Sequence, residues 1–414
     1  MKRKNITDVF TPRRGDVNLD MYVPRKKLEK KLLRSFNRFC HTLIFGESGN
    51  GKSWLYKKVL DENKIPYVIA NGGNSSRLNS ITAEIYSCLI TPGSAKKLSF
   101  TEEKTAELNA VIAKGSLKHN GQYDISQEEP LLTAFRILSE SAHGKRCIIV
   151  IDNLEFIFDS KELMEELSNI LILLDDQRYS KYEVNFLIVG TPLNIMKYFR
   201  ETKNIDSVAN RIDEVEKISG LGSSETGELI NRGFKQLAVV IEGRELIYLT
   251  EYVWSVTLGI AQRVQEFCEF LAYEIEDNDW VYEKELIGKA SSAWLINGLR
   301  HSYQTVESHF NSRATIVARK NQVIYCIGRL KLHQFDANQI DSSIRRFFPE
   351  TVPKTNMGIN KILVELTKGE TPLLCSNKRT NKFSALDPKF LMCIRVILYI
   401  CDTKKNVQRR EFII

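Results

Sequence analysis

Eight consecutive residues have the types and the spacing of a phosphate-binding loop. They match the pattern G-x-x-x-x-G-K-[ST] between an apolar run and a segment with helical spacing. In order they are Gly46, Glu47, Ser48, Gly49, Asn50, Gly51, Lys52 and Ser53. Glycines let backbone N–H groups turn toward phosphate oxygens, the lysine ammonium reaches the β- and γ-phosphates, and the serine hydroxyl ligates Mg²⁺. We therefore expect this loop, with the adjoining Trp54, to bind ATP and Mg²⁺.

A carboxylate that could hold the metal ends a second apolar run. Cys147–Asp152 is apolar up to its last residue, as expected of a strand buried on both faces of a parallel sheet. We expect Asp152 to hold Mg²⁺ through water. Many such ATPases place the glutamate that activates water next, but here Asn153 follows, and Glu155 comes two positions later. Either Glu155 is the catalytic carboxylate, or hydrolysis is slow and the protein mainly switches on nucleotide binding.

The elements that must position these residues are short apolar strands alternating with helices. The strand-like runs are 41–45, 67–70, 147–152 and 184–190. Thr191, at the end of the last run, either reads the γ-phosphate or is an ordinary strand-end threonine. Strands and helices alternating over residues 36–220 predict an α/β fold, a three-layer P-loop sandwich with a parallel sheet.

Composition limits the other function classes. The chain has 414 residues, 43% of them hydrophobic, which suffices for more than one core. No apolar stretch approaches the roughly 18–20 residues that span a bilayer, so we expect a cytoplasmic protein with no membrane partner. Most of the eight cysteines lie in apolar runs and none forms a Cys-x-x-Cys pair, which favours core cysteines over a metal site.

Positive charge is concentrated in the last quarter of the chain. Residues 301–414 contain 19 Lys and Arg against nine Asp and Glu, whereas the whole chain has a net charge of only +8. An excess of this size indicates a surface that faces a polyanion, and the alternative is a solvated basic face without a partner.

The motifs together resemble the AAA+ superfamily, within it the branch of origin-recognition-like and STAND-like ATPases. The segment 21–29 is similar to the family's N-terminal motif, and Gly190-Thr191 to its sensor 1. The resemblance implies that Arg211 is a finger reaching a neighbouring subunit's γ-phosphate. It also implies a sensor 2 segment, in which Gln262 occupies the usual arginine position and Arg263 follows it. Arg263 is the nucleotide-binding candidate there, and the alternative is a solvated residue of the lid.

The resemblance also implies a domain order. An N-terminal extension would cover residues 1–35, and the nucleotide-binding domain 36–220, with an insertion at about 91–145. A helical lid over 221–300 and a basic winged-helix domain over 301–414 would follow.

The C-terminal pattern itself favours a winged helix. Three helical segments precede two short extended pieces joined by a basic turn. We expect Lys361 on the third helix, and Lys378, Arg379 and Lys382 in the wing, to contact DNA, mostly without sequence specificity. The alternative is a winged helix that serves as a spacer or docks a protein.

The sequence is compatible with two functions. The first is a DNA-associated ATPase that forms homo-oligomers and uses ATP to act on or sense DNA, in a replication-initiator-like, transposition or phage-defence setting. The second is a STAND-like signalling switch whose ATP-driven assembly activates a separate effector protein without binding DNA.

Overall fold

The computed structural model describes residues 3–90, 129–191, 199, 205–311, 318–330, 334–353, 357–377, 379–401, 403 and 406–410. The chain divides into two compact units. The sheet unit comprises Gly15–Val17 and Pro24–Ser219, and the helical unit comprises Met1–Arg14, Asn18–Val23 and Gly220–Ile414. The predicted extension 1–35 is thus shared between the two units, and the last break falls beside the predicted start of the lid.

A five-stranded parallel sheet organises the sheet unit. Its strands are β1 (His41–Phe45), β2 (Tyr67–Asn71), β3 (Cys147–Asp152), β4 (Val184–Gly190) and β5 (Ile212–Glu214). They are ordered β2-β3-β4-β1-β5, and every neighbouring pair is parallel. Because parallel strands end at a common edge, the residues after β1, β3 and β4 lie along one side of the sheet. The predicted α/β fold with a parallel sheet is confirmed.

Helices cover both faces of this sheet. The helices of the unit are α2 (Lys26–Phe36), α3 (Lys52–Glu62), α4 (Gly72–Leu78), α5 (Ile81–Ile90), α6 (Pro130–Ser141), α7 (Lys161–Ile172), α8 (Gln177–Ser180) and α9 (Ile205–Ala209). Ile148 and Val150 pack with α2 and α3, whereas Ile149 and Ile151 pack with α5, α6 and α7. This alternation along β3 is the reason for its uninterrupted apolar sequence, because both faces are buried.

Part of the predicted insertion belongs to this core. Residues 91–128 lie outside the described part of the chain, but α6 buries Leu131, Phe135 and Leu138 against the sheet. The carboxylate of Glu129 caps the helix by accepting from the N–H groups of Leu131 and Leu132 at 3.0 and 2.8 Å. Residues 130–141 are therefore a structural helix of the sheet unit.

The helical unit contains α1 (Ile6–Val9) and a long series of helices after residue 220. These are α10 (Ser223–Gln236), α11 (Gly243–Thr257), α12 (Ala261–Glu276), α13 (Leu286–Ala293), α14 (Arg300–Ser308), α15 (Arg319–Arg329), α16 (Ala337–Phe347), α17 (Ile359–Glu365) and α18 (Pro388–Ile397). Among the described residues no helix is long and apolar enough to cross a membrane. Four of the cysteines are fully buried, namely Cys147, Cys268, Cys326 and Cys393.

An antiparallel hairpin follows α17, formed by β6 (Leu374–Asn377) and β7 (Lys382–Ala385). Phe335, between α15 and α16, extends it through reciprocal backbone bonds to Phe383 of 2.7 and 2.9 Å. A second small hairpin pairs β8 (Leu398–Ile400) with β9 (Val407–Arg409). The order of three helices and a hairpin agrees with the sequence pattern, and the winged-helix assignment stays a prediction.

Candidate functional site

The phosphate loop connects β1 to α3 at the carboxyl edge of the sheet. Gly49 and Gly51 have φ values of 83° and 82°, a region that residues with a side chain rarely adopt. Gly46 is required for a different reason, since a Cβ there would lie 2.3 Å from the carbonyl oxygen of Ile218. Helix α3 begins at Lys52, so its N-terminal N–H groups face the loop.

Lys52 is folded back over this loop. Its Nζ donates to the carbonyl oxygens of Gly46 at 2.7 Å and Glu47 at 3.2 Å. Burial lowers the pKa of Lys52, and the negative charges of Glu155, Asp152 and Glu47 oppose that change. The ammonium is thus confined where a bound phosphate would meet it.

Asp152, at the end of β3, lies beside the first turn of α3. Its Oδ2 accepts from the Ser53 hydroxyl at 3.2 Å and from the Tyr56 hydroxyl at 2.8 Å. A serine hydroxyl and a carboxylate are hard oxygen donors of the kind that Mg²⁺ prefers. Burial, followed by the charge of Asp152, raises the pKa of Tyr56 well above its usual value, so this phenol stays protonated and can donate to Asp152.

Sequence reasoning missed Tyr56. The signal was available, because Tyr56 lies three residues after Ser53 and therefore on the same face of α3. Its contact with Asp152 nevertheless requires that β3 pack beside α3, which no local pattern specifies.

The backbone turns sharply after Asp152. Asn153 has a φ of 59°, and its N–H donates to Oδ1 of Asp152 at 2.9 Å. Glu155 follows in the short 3₁₀ turn Leu154–Phe156, half-buried, and its charge acts on Lys52. Of Asn153 and Glu155, the two residues considered as the catalytic group after β3, only Glu155 carries a charge, and that charge acts on Lys52 together with those of Asp152 and Glu47.

The remaining loop residues and Thr191 surround these groups. Glu47 forms an ion pair of 3.6 Å with Lys217, Ser48 is exposed, and Trp54 is half-buried. Thr191 directly follows β4, the strand between β1 and β3, and is half-buried. Its neighbour Gly190 accepts from the N–H of Gly46 at 3.3 Å, so Thr191 begins next to the loop.

A family model described as an AAA domain matches residues 40–199, which include the loop, Asp152 and Thr191. This part of the chain is therefore similar to AAA domains. The resemblance to the AAA+ superfamily is thereby confirmed. No curated protein matches the chain significantly.

Several solved structures are similar to this chain over most of its length. The Walker-type ATPase PABY2304 of Pyrococcus abyssi is 16% identical, with 92% of this chain and 99% of that chain covered and a TM-score of 0.48. The ORC2 protein of Aeropyrum pernix is 15% identical, with coverages of 94% and 97% and a TM-score of 0.48. The RuvB Holliday junction branch migration motor of Thermotoga maritima is 11% identical, with coverages of 91% and 96% and a TM-score of 0.44.

Arg211 lies just beyond the matched AAA domain, at the opposite edge of the sheet. It immediately precedes β5, and its carbonyl accepts from the N–H of His41 at the start of β1. Strand β1 therefore separates Arg211 from the loop by about 16 Å, given a rise of roughly 3.3 Å per residue. The guanidinium forms an ion pair with Asp175. It cannot contact the phosphate loop of its own subunit.

Arg263 lies outside the AAA domain, in the helical unit. It forms an ion pair with Glu266, one turn away on α12. The Glu266 carboxylate is almost fully buried and also accepts from the indole N–H of Trp294 at 3.0 Å. Arg263 is therefore a counter-ion of the buried Glu266 carboxylate.

The predicted DNA-binding residues all belong to the C-terminal region. Lys361 is exposed on α17, and Arg379 and Lys382 are exposed at the turn of the β6–β7 hairpin. The N–H of Arg379 donates to Oδ1 of Asn377 at 3.0 Å, which fixes the backbone of the turn. Lys378 lies outside the described residues.

Proposed function

We propose that this protein binds ATP with Mg²⁺ at residues 46–53, hydrolyses it slowly, and acts on or senses DNA as a homo-oligomer. The convergence of Lys52, Ser53 and Asp152 at one edge of the sheet carries the proposal. The three groups come from two elements that are about 100 residues apart in sequence, and together they provide a cation and two oxygen ligands.

The residues present fit a magnesium nucleotide. The glycine backbone and the N-terminus of α3 offer N–H groups to phosphate oxygens, and Lys52 supplies a positive charge. Ser53 and Asp152 would hold the metal, which when bound neutralises charge on the phosphates. The chain's own part is to orient the phosphates and to place Glu155 near them.

Slow turnover is favoured by the turn after β3. Asn153 cannot accept a proton as a carboxylate does, and its left-handed backbone leads away into the 3₁₀ turn. Glu155 is then the general-base candidate, with Thr191 beside the loop as the group that reads the γ-phosphate. In this scheme bound ATP persists long enough to act as a switch.

The position of Arg211 supports the proposed assembly. An arginine at the edge of the sheet opposite the loop can complete only a neighbour's site, so the proposed oligomer is one in which Arg211 meets the loop of the next subunit in trans. Such a finger stabilises charge that develops during phosphoryl transfer.

DNA contact is supported by charge and exposure. The last quarter of the chain carries the positive excess, and Arg379 and Lys382 extend from a hairpin turn where phosphates could reach them. The test is duplex affinity at several salt concentrations for the protein and for the Arg379→Ala/Lys382→Ala double variant. We expect the slope of log affinity against log salt to fall by about 2 for the two lost phosphate contacts. An affinity that is absent at low salt would contradict DNA binding.

A partner protein is the second candidate, because the exposed face of α17 is mixed. Glu365 forms an ion pair with Lys320 at 2.7 Å, and Val364 is partly exposed beside it. A face of this kind reads DNA poorly and suits protein contact better. Mass photometry with and without ATP and DNA separates the two functions. Assembly that needs ATP but ignores DNA would favour the STAND-like switch with a separate effector.

A further inference from the structure

The segment Val215–Ser219, here called the linker, carries the chain out of the sheet unit. Although β5 ends at Glu214, the linker continues to bond to β1. The N–H of Val215 donates to the carbonyl of Leu43 at 2.9 Å, and the N–H of Ile218 donates to that of Phe45 at 2.8 Å. The linker therefore runs beside β1 up to the first residue of the phosphate loop.

One carbonyl of the linker touches the phosphate loop twice. The side-chain Nδ2 of Asn50 donates to the Ile218 oxygen at 3.0 Å, across 168 positions of sequence. The backbone of Gly46 approaches the same oxygen so closely that no Cβ fits. The carbonyl of Ser219 is held as well, by the guanidinium of Arg25 at 3.0 Å. The loop and the linker are thus joined directly, through the side chain of Asn50.

The orientation of the Asn50 amide is fixed by this contact. Turning the amide over would bring its oxygen against the Ile218 oxygen, and two acceptors repel. Asn50 is only 2% exposed, and within the described part of the chain its Oδ1 has no hydrogen-bond partner. A buried unpaired oxygen destabilises a fold. Stability alone therefore does not account for an asparagine at this position.

We propose that Asn50 is a positioning residue that couples the conformation of the phosphate loop to the linker. Its backbone belongs to the loop that would enclose phosphate, and its side chain holds the segment leading to the helical unit. A bound phosphate would hold the backbone of the loop in one conformation, and this would hold the Asn50 side chain in place. Because that side chain bonds to the carbonyl of Ile218, the linker would then be ordered as well. The nucleotide-dependent half of this inference rests on the proposed function.

The test measures hydrogen exchange of linker amides in the full-length protein, with and without ADP and Mg²⁺. The variants are Asn50→Asp, which replaces the donor by an acceptor of the same shape, and Asn50→Ala, which removes the bond without repulsion. Asn63→Asp is the matched control, because the Asn63 Nδ2 also donates to a backbone carbonyl, that of Val59 at 2.8 Å, away from the linker.

Without nucleotide we expect linker exchange to be about tenfold faster in Asn50→Asp than in Asn63→Asp, with Asn50→Ala intermediate, as the loss of one buried hydrogen bond implies. With ADP and Mg²⁺, the linker of the unmodified protein and of Asn63→Asp gains protection, and that of Asn50→Asp does not. Equal exchange in Asn50→Asp and Asn63→Asp without nucleotide would overturn the coupling. A protein that binds no ADP would instead overturn the proposed function, while leaving the nucleotide-free comparison valid.

Discussion

The hydroxyl of Tyr56 donates a hydrogen bond of 2.8 Å to Oδ2 of Asp152, the same oxygen that accepts from Ser53. This bond orients the carboxylate proposed to hold Mg²⁺, and it joins helix α3 to strand β3. Tyr56 is fully buried, so its phenol has few alternative partners. Its effect on a bound metal would therefore pass through Asp152.

Replacing Tyr56 by phenylalanine should weaken the use of Mg²⁺ more than it weakens the fold. Losing a partner of a metal-holding carboxylate typically lowers metal affinity by about 10-fold or more, whereas one hydrogen bond contributes roughly 1 kcal/mol to stability. The measurement is the Mg²⁺ concentration that gives half-maximal ATP hydrolysis. An unchanged half-maximal concentration, in a variant that melts near the original temperature, would remove Tyr56 from the site.

Lys52→Ala should abolish ATP binding. Its ammonium is the positive charge folded over the loop, and alanine leaves the carbonyls of Gly46 and Glu47 facing incoming phosphate without a donor. Titration with a fluorescent ATP analogue measures the loss. Lys30→Ala, an exposed lysine on α2, is the control and should bind normally. Retained affinity in Lys52→Ala would refute the phosphate-loop assignment.

Arg211→Ala should leave ATP binding intact and remove the part of hydrolysis that depends on assembly. Because Arg211 also pairs with Asp175, an intrachain role must be separated from a role in trans. Asp175→Asn breaks the same ion pair but keeps the arginine, so it should retain hydrolysis. Equal loss in both variants would show that the ion pair, and not a finger, is what matters.

Mixing provides the direct test of action in trans. Arg211→Ala supplies an intact Glu155, and Glu155→Gln supplies an intact Arg211, so a mixed oligomer contains some complete sites. Hydrolysis by the mixture should exceed that of either variant alone. Full hydrolysis by Glu155→Gln on its own would show that this glutamate is not the base.

His41 should make the sheet unit sensitive to acid. Its Nδ1 accepts from the N–H of Phe186 at 3.0 Å, so the neutral ring keeps its proton on Nε2, which faces the carbonyl of Leu171. Burial lowers the pKa of His41 from 6.5 to about 4. The unfolded chain then binds more protons, so stability is full above pH 6.5 and is lost as the pH falls toward 4, by about 3 kcal/mol in all.

Urea unfolding between pH 4 and pH 7 measures this effect. In His41→Gln the free energy of unfolding should fall less steeply between pH 6.5 and pH 4, because the unfolded chain no longer binds one more proton than the folded chain. The exposed His143→Gln should leave its slope unchanged. Identical slopes in the original protein and in His41→Gln would contradict the assignment.

Much of the sheet unit could be predicted from the sequence because its signals are local. The uninterrupted apolar run ending at Asp152 and the glycines around Lys52 each identify an element without reference to the rest of the chain. The contacts of Tyr56, Asn50 and Arg211 could not be predicted in this way. Each joins segments far apart in sequence, and the partner is decided by which strand or helix packs alongside.

The function of the C-terminal region is harder to predict from the sequence, for a different reason. Its helices and hairpin follow caps and turns that the sequence displays, such as Asp336 at the start of α16. Whether Lys361 and Arg379 meet DNA depends on a surface that folding does not constrain, because exposed charges contribute little to the stability of the fold. Predicting the function of that surface requires its partner.

The close approach of Gly46 to the Ile218 carbonyl has a consequence for how this loop can change over time. The first residue of a phosphate loop is usually a glycine because the bound phosphate approaches the backbone closely and leaves no room for a side chain. Here the linker requires a glycine at position 46 independently of any ligand, because the Ile218 carbonyl leaves no room for a Cβ. Descendants that lost all use for nucleotide would still be unable to replace this glycine without moving the linker. Conservation of Gly46 among descendants would therefore reflect the packing of the linker as much as nucleotide binding.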